Sequence, residues 1–95
     1  MIDLAIYSII AYYAQTADIP VQQAIGIAMC ESTMNPTAKN PNSSAKGIFQ
    51  FVDKTWDWAC EGDVMNPVDN TKCFVKLFKK YPHYWECYGN RPQKN

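Results

Sequence analysis

Residues 30–51 read Cys-Glu-Ser-Thr-Met-Asn-Pro-Thr-Ala-Lys-Asn-Pro-Asn-Ser-Ser-Ala-Lys-Gly-Ile-Phe-Gln-Phe. The stretch leaves an apolar run, crosses a polar loop punctuated by two Asn-Pro pairs, and returns to an apolar turn around Gly47. A residue before proline is pushed away from helical backbone, so Asn35 and Asn40 predict an irregular loop rather than a continued helix. A loop of this length inside a compact fold suggests function. Glu31 stands where the apolar run gives way to the loop. It is either a catalytic acid or a solvated helix end.

Towards the N-terminus, Pro20 suits the first position of a helix, where its missing N–H costs nothing. That helix is expected to run through Val21, Ala24, Ile25, Ile27, Ala28 and Met29 to about Ser32. Its residues 24–30 are apolar or small almost all round, which marks a buried central helix. Ahead of it, Ile2, Ala5, Ile6, Ile9, Ile10 and Tyr13 recur at the spacing of one helical face, with Asp3 near the start. Ala17-Asp18-Ile19 makes the turn between the two.

Towards the C-terminus, Gly47 is expected to supply a close backbone approach or a positive φ. Asp53 is the expected N-cap of a short third helix carrying Trp56 and Trp58 and closed near Cys60 by Gly62. Asn66-Pro67 opens a fourth helix with Phe74, Val75, Leu77 and Phe78 facing inward, and Lys76, Lys79 and Lys80 suit its C-terminal half. Pro82 interrupts it, and residues 83–87 form one last turn. The reading is a mainly α, compact helical domain over residues 1–89, followed by a polar tail over 90–95.

The chain has 95 residues, room for one core. Apolar residues make up 47%, so the chain is expected to fold rather than remain disordered. Its net charge of zero leaves no bulk attraction to nucleic acid or to an anionic membrane. Neither partner is expected, and a polymer bound here would be recognised by shape and hydrogen bonds.

Cys30, Cys60, Cys73 and Cys87 form an even set in a short chain, which reads as two disulfides and an oxidising destination. A four-thiolate metal site fits poorly, because there is no C-x-x-C pair and His83 is the only histidine. No metal or other cofactor is expected. Of the three possible connectivities, Cys60–Cys73 would close a compact corner and Cys30–Cys87 would tie the C-terminal end beside Glu31, and this pairing is favoured. The N-terminal apolar segment contains Asp3, lacks a basic start and a small-residue cleavage site, and is too short to span a membrane. No signal peptide or membrane insertion is expected. Export would then depend on a removed segment, a lysis system or delivery within a particle.

A glutamate at the edge of an apolar environment has its carboxyl pushed upward by desolvation, which keeps it protonated for acid catalysis. Glu31, following Ile27, Ala28, Met29 and Cys30, has such neighbours in sequence. A carboxylate at a helix C-terminus also faces the unfavourable end of the macrodipole, so the solvated reading carries a cost.

Glu31-Ser32-x-x-Asn35-Pro36-x-Ala38, followed by Ser44-Ala45-Lys46-Gly47-Ile48-Phe49-Gln50-Phe51 and Thr55-Trp56, resembles the lytic transglycosylase (SLT) and goose-type lysozyme superfamily. The closest flavour is that of small phage- or virion-associated domains. The resemblance covers residues 3 to about 87 and implies a lysozyme-like fold with a cleft. It also implies cleavage of the β-1,4 bond between N-acetylmuramic acid and N-acetylglucosamine in peptidoglycan glycan strands. The place of action would be periplasmic, extracellular or virion-associated, and the protein is expected to be a monomer.

Carried over residue by residue, Glu31 becomes the single general acid and then base. Ser32 orients it or contacts the N-acetyl group, Phe49 and Gln50 line the cleft, and Ser44 sits at the turn before Gly47. Asn35, Pro36 and Ala38 are architectural, and Thr55 caps or packs. The family's third motif, A-Y-N-x-G, has no counterpart. Tyr81, Tyr84 and Trp85 are candidates for that wall, with Tyr84 the preferred substrate contact, although aromatics at such spacing also suit a core.

A second carboxylate is not assigned among Asp53, Asp57, Glu61 and Asp63, since helix starts and turns explain the aspartates. Hydrolysis and formation of a 1,6-anhydro end both remain open. A glycan-binding or structural component without catalysis would also suit the missing motif. A helical lipid-binding or inhibitor domain would leave Glu31, Gln50 and the Gly47 turn unexplained.

Overall fold

The apolar periodicity resolves into four α-helices and one short 3-10 turn in a computed structural model that describes residues 3–85 and 87. Helix α1 spans Leu4–Thr16, α2 Val21–Ser32, α3 Asp53–Ala59 and α4 Pro67–Phe78, and the 3-10 turn is Pro82–Tyr84. Two isolated bridges, Lys39 with Lys46 and Lys46 with Phe51, are the only β-type pairing among the described residues. Helix α1 packs on both α2 and α4. Ile2, Glu86 and the expected tail over 90–95 lie outside the described residues, as does the expected domain boundary at 89.

Helix boundaries follow side-chain chemistry. Asp3 caps α1 by accepting from the N–H groups of Ala5 at 2.9 Å and Ile6 at 3.3 Å. The inward face of α1 is Ile6, Ile10 and Ala14, with Ile9 and Tyr13 half-buried and Ala5 exposed, so the stripe is narrower than the sequence spacing suggests. Pro20 lies one residue earlier than expected, as the N-cap of α2. Asn66 caps α4 through bonds from Val68 and Asp69 N–H at 2.9 and 3.0 Å, and Pro67 takes the first helical position.

One cap differs from expectation. Val52, not Asp53, is the N-cap of α3, and Asp53 is its first helical residue. The capping oxygen comes from outside the helix: Ser44 Oγ accepts from Asp53 N–H at 2.9 Å. The Asp53 carboxylate instead meets Lys46 Nζ at 2.6 Å, near a helix N-terminus that favours negative charge.

The core is aromatic where the loop, α3, α4 and the C-terminal segment converge. The Phe49 and Phe74 rings stack with centroids 3.8 Å apart. Phe51 sets its ring edge-to-face against Trp56 and Trp85, and Trp85 does the same against Phe74. Disulfides Cys60–Cys73 and Cys30–Cys87 join the ends of this arrangement, in the pairing favoured from the sequence. The second encloses a sequence separation of 57 residues, and closing a loop of that size in the unfolded chain corresponds to about 4 kcal/mol in the chain-entropy picture.

Candidate active site at the end of helix α2

Glu31 is half-buried in the last turn of α2, between the disulfide residue Cys30 and Ser32. The helix stops abruptly after it. Thr33 and Met34 both take positive φ, 52° and 62°, and the Thr33 and Met34 N–H groups return to the Met29 and Ala28 carbonyls. Left-handed backbone costs a β-branched residue such as threonine on the order of 1–2 kcal/mol. Gln50, at 55°, and Asp18 in the turn before α2, at 58°, are the other non-glycine residues with positive φ among the described residues. Strain of this kind persists only where surrounding contacts hold it, and it concentrates at functional sites.

The Asn-Pro loop is built from short side-chain turns. Asn35 Oδ1 accepts from Thr37 N–H at 3.0 Å and Asn40 Oδ1 from Asn42 N–H at 2.7 Å, so each asparagine mimics a turn at its own proline. The loop then pairs with the turn that follows: Gly47 N–H donates to Ala38 O and Asn40 N–H to Ala45 O, both at 2.9 Å.

The turn over 46–51 is held on every side. Lys46 and Phe51 exchange both backbone bonds at 3.0 Å. Ser32 Oγ donates to Ile48 O at 2.7 Å, which ties the end of α2 to the turn. Buried Asn70 of α4 accepts from Phe49 N–H at 2.9 Å and donates to Val64 O at 2.8 Å. Trp85 Nε1 donates to Phe49 O at 2.9 Å. Gln50 Nε2 donates to Gly47 O at 2.9 Å and Ala38 O at 3.4 Å, closing the turn with its own side chain.

Gly47 is required here twice over. Its φ is +83°, and a Cβ would lie 2.5 Å from Val64 O and run into the Asn70 amide. The expectation was a close backbone approach or a positive φ, and the structure has the two together, with Val64 O and the Asn70 side chain as the approaching groups.

Of the residues expected to touch substrate, Ser32 and Gln50 are half-buried and joined to the turn, at Ile48 and Gly47 respectively. Ser44 caps α3 through Asp53. Phe49 is fully buried against Phe74, so its ring forms the core beneath the turn and not an open wall. Tyr84 is 42% exposed and stacked on Tyr81, whereas Trp85 is buried. Thr55 is half-buried in α3.

Asn70 was missed in sequence. A lone asparagine on the inward face of an amphipathic helix is a visible anomaly, since buried polar side chains need partners. A concavity of about 380 Å³ lies elsewhere, on the Cys60–Cys73 bridge, bordered by Glu61, Asp69, Lys72 and Lys76. None of the candidate site residues borders it. Two of its charged groups are already engaged: Asp69 accepts from Asp63 N–H at 3.0 Å and Lys76 donates to Ala59 O at 2.8 Å.

No described helix is long and apolar enough to cross a membrane. Among the described residues no three His, Cys, Asp or Glu side chains cluster as metal ligands. No curated protein matches the chain. The family model for the transglycosylase SLT domain matches residues 8–90, which include Glu31, the Asn-Pro loop, the clamped turn and the Trp85 segment. The chain therefore belongs to the transglycosylase SLT domain family, whose domains are in general peptidoglycan lytic transglycosylases acting outside the cytoplasm, a setting that suits its two disulfides.

Proposed function

We propose that this protein cleaves the β-1,4 bond between N-acetylmuramic acid and N-acetylglucosamine with Glu31 as its general acid and base. The observation that carries the reading is the Ser32–Ile48 bond, which fastens the Glu31 end of α2 to a turn whose neighbouring peptide groups are also taken up by Asn70 and Trp85. Catalysis by positioned groups gains from such fixed placement.

The Glu31 carboxyl gives its proton to the glycosidic oxygen as the bond to C1 of the muramic residue breaks. The substrate's own N-acetyl carbonyl oxygen stabilises the positive charge developing at C1, which makes a second protein carboxylate unnecessary. The Glu31 carboxylate then takes the proton from the 6-hydroxyl of the same sugar as that oxygen bonds to C1. The products are a 1,6-anhydro end and a free 4-hydroxyl on the leaving sugar.

The family match supports this intramolecular route over attack by water. Ser32 and Gln50 serve as positioning residues, and the protein works as a monomer on glycan strands in the periplasm, outside the cell or in a virion. Mass spectrometry of digested peptidoglycan tests the route. Anhydro-ended muropeptides are expected; reducing ends alone would make the protein a lysozyme, and no soluble product would remove the activity.

A further inference from the structure

The three tryptophans fall into two environments. Trp56 and Trp85 are buried and donate their indole N–H groups to Gly62 O and Phe49 O. Trp58 is 63% exposed and makes no hydrogen bond among the described residues. Its ring stands edge-to-face against Tyr81, with centroids 6.1 Å apart. Tyr81 lies parallel to Tyr84 at 5.0 Å, and Tyr84 is itself 42% exposed. His83 sets its edge to both tyrosines, and the Lys80 ammonium lies 5.4 Å from the centre of the Tyr81 ring.

Single exposed apolar residues need no explanation, but a connected set of aromatic rings rimmed by polar groups marks a binding surface. These rings are braced by one another, so little side-chain freedom is left to lose when a ligand covers them. Trp58 and Tyr84 offer exposed ring surface, and the His83 imidazole and the Lys80 ammonium lie beside the tyrosines. That combination suits a pyranose, which presents an apolar C–H face and a rim of hydroxyl groups.

We infer that Trp58 and Tyr84, braced through the half-buried Tyr81 between them, form a sugar-stacking platform that holds a stretch of the same glycan strand outside the cleavage site. The inference rests on the proposed function for its ligand, and on chain continuity for its place. Tyr84 is three residues before Cys87, whose Cα is 6.0 Å from that of Cys30, the neighbour of Glu31. The Cα atoms of Tyr84 and Glu31 are thus within about 20 Å of each other, close enough for one polymer to reach both.

The test is co-sedimentation with insoluble peptidoglycan, read in the Glu31→Gln protein so that turnover does not remove the ligand. Adding Trp58→Ala is expected to weaken binding by about tenfold, the size of one lost aromatic stacking contact, and Trp58→Phe to restore most of it. Tyr12→Ala is the control. Tyr12 is 61% exposed on α1, outside the platform, and its loss is expected to leave binding unchanged.

A second readout asks whether sugar covers the ring itself. Since Trp58 is the exposed tryptophan, a soluble β-1,4-linked N-acetylglucosamine hexamer is expected to shield fluorescence from acrylamide in the wild type and not in Trp58→Phe. Equal binding by the Trp58→Ala protein, equal loss in the Tyr12→Ala protein, or no shielding would overturn the platform. These outcomes are separate from catalysis: a wild type that binds through Trp58 yet releases no muropeptide removes the proposed activity and leaves the platform standing.

Discussion

Ser32 Oγ donates to Ile48 O at 2.7 Å and, more weakly, to Ala28 O at 3.3 Å. One hydroxyl thereby closes the last turn of α2 and joins it to a segment 16 residues away. Ser32→Ala removes that join and leaves the partly buried Ile48 carbonyl without it. We expect a loss of about 1–2 kcal/mol in stability and a larger proportional fall in kcat than in KM, because the bond positions Glu31 in this account. Urea denaturation and kinetics on purified peptidoglycan measure the two effects.

Gly47 and Asn70 form a second coupled pair. Gly47→Ala forces a side chain into a positive-φ position and into the Asn70 amide, and is expected to cost about 2–4 kcal/mol. Asn70→Ala strands the Phe49 N–H and Val64 C=O and is expected to cost about 2–3 kcal/mol. Because both changes disrupt one contact, the double variant should lose less than the two single losses added together, as a thermodynamic cycle would reveal.

The reach of the sequence can be judged from these residues. Asp3, Asn66, Pro67 and the ends of α2 were legible because capping and proline chemistry act within a few residues. Gly47 was legible as a special backbone position, but not its reason, since Asn70 approaches from 23 residues downstream. The capping of α3 by Ser44 was hidden in the same way, and Asp53 was the plausible local substitute. Phe49 shows the limit of motif reading: a residue inside a functional motif can serve by packing beneath it. Glu31, Ser32 and Gln50 stood out through the motif, and the bonds that join the last two to the turn came only with the fold.

Thr33 pays a conformational penalty at the helix end. Glycine adopts its φ of 52° without a Cβ clash, so Thr33→Gly is expected to raise stability by up to about 1 kcal/mol despite glycine's greater freedom when unfolded. In a domain of this size that corresponds to a melting temperature higher by about 4–8 °C. Differential scanning calorimetry checks it.

The Cys30–Cys87 bridge fastens the segment carrying Trp85 to the residue beside Glu31. Replacing both cysteines by alanine is expected to lower stability by about 3–4 kcal/mol, the closure entropy of so long a loop. Activity should fall further than the folded fraction does, because the Trp85 bond to the turn loses its tether. Denaturation and activity measured on the same samples separate the two.

Net charge is zero, so attraction to the anionic wall contributes little to binding. Activity between 50 and 200 mM salt is expected to change by less than about twofold, since screening has little long-range field to remove. A steep salt optimum in a turbidity assay would count against recognition by local contacts.

In the proposed reaction Glu31 is the proton donor. Glu31→Gln keeps the size and polarity of the side chain and removes the acid, so release of soluble muropeptides from purified peptidoglycan measures that proton alone. We predict a fall of about 10²- to 10⁴-fold in a protein that is still folded by circular dichroism. Muropeptide release at the wild-type rate from a folded Glu31→Gln protein would contradict the account.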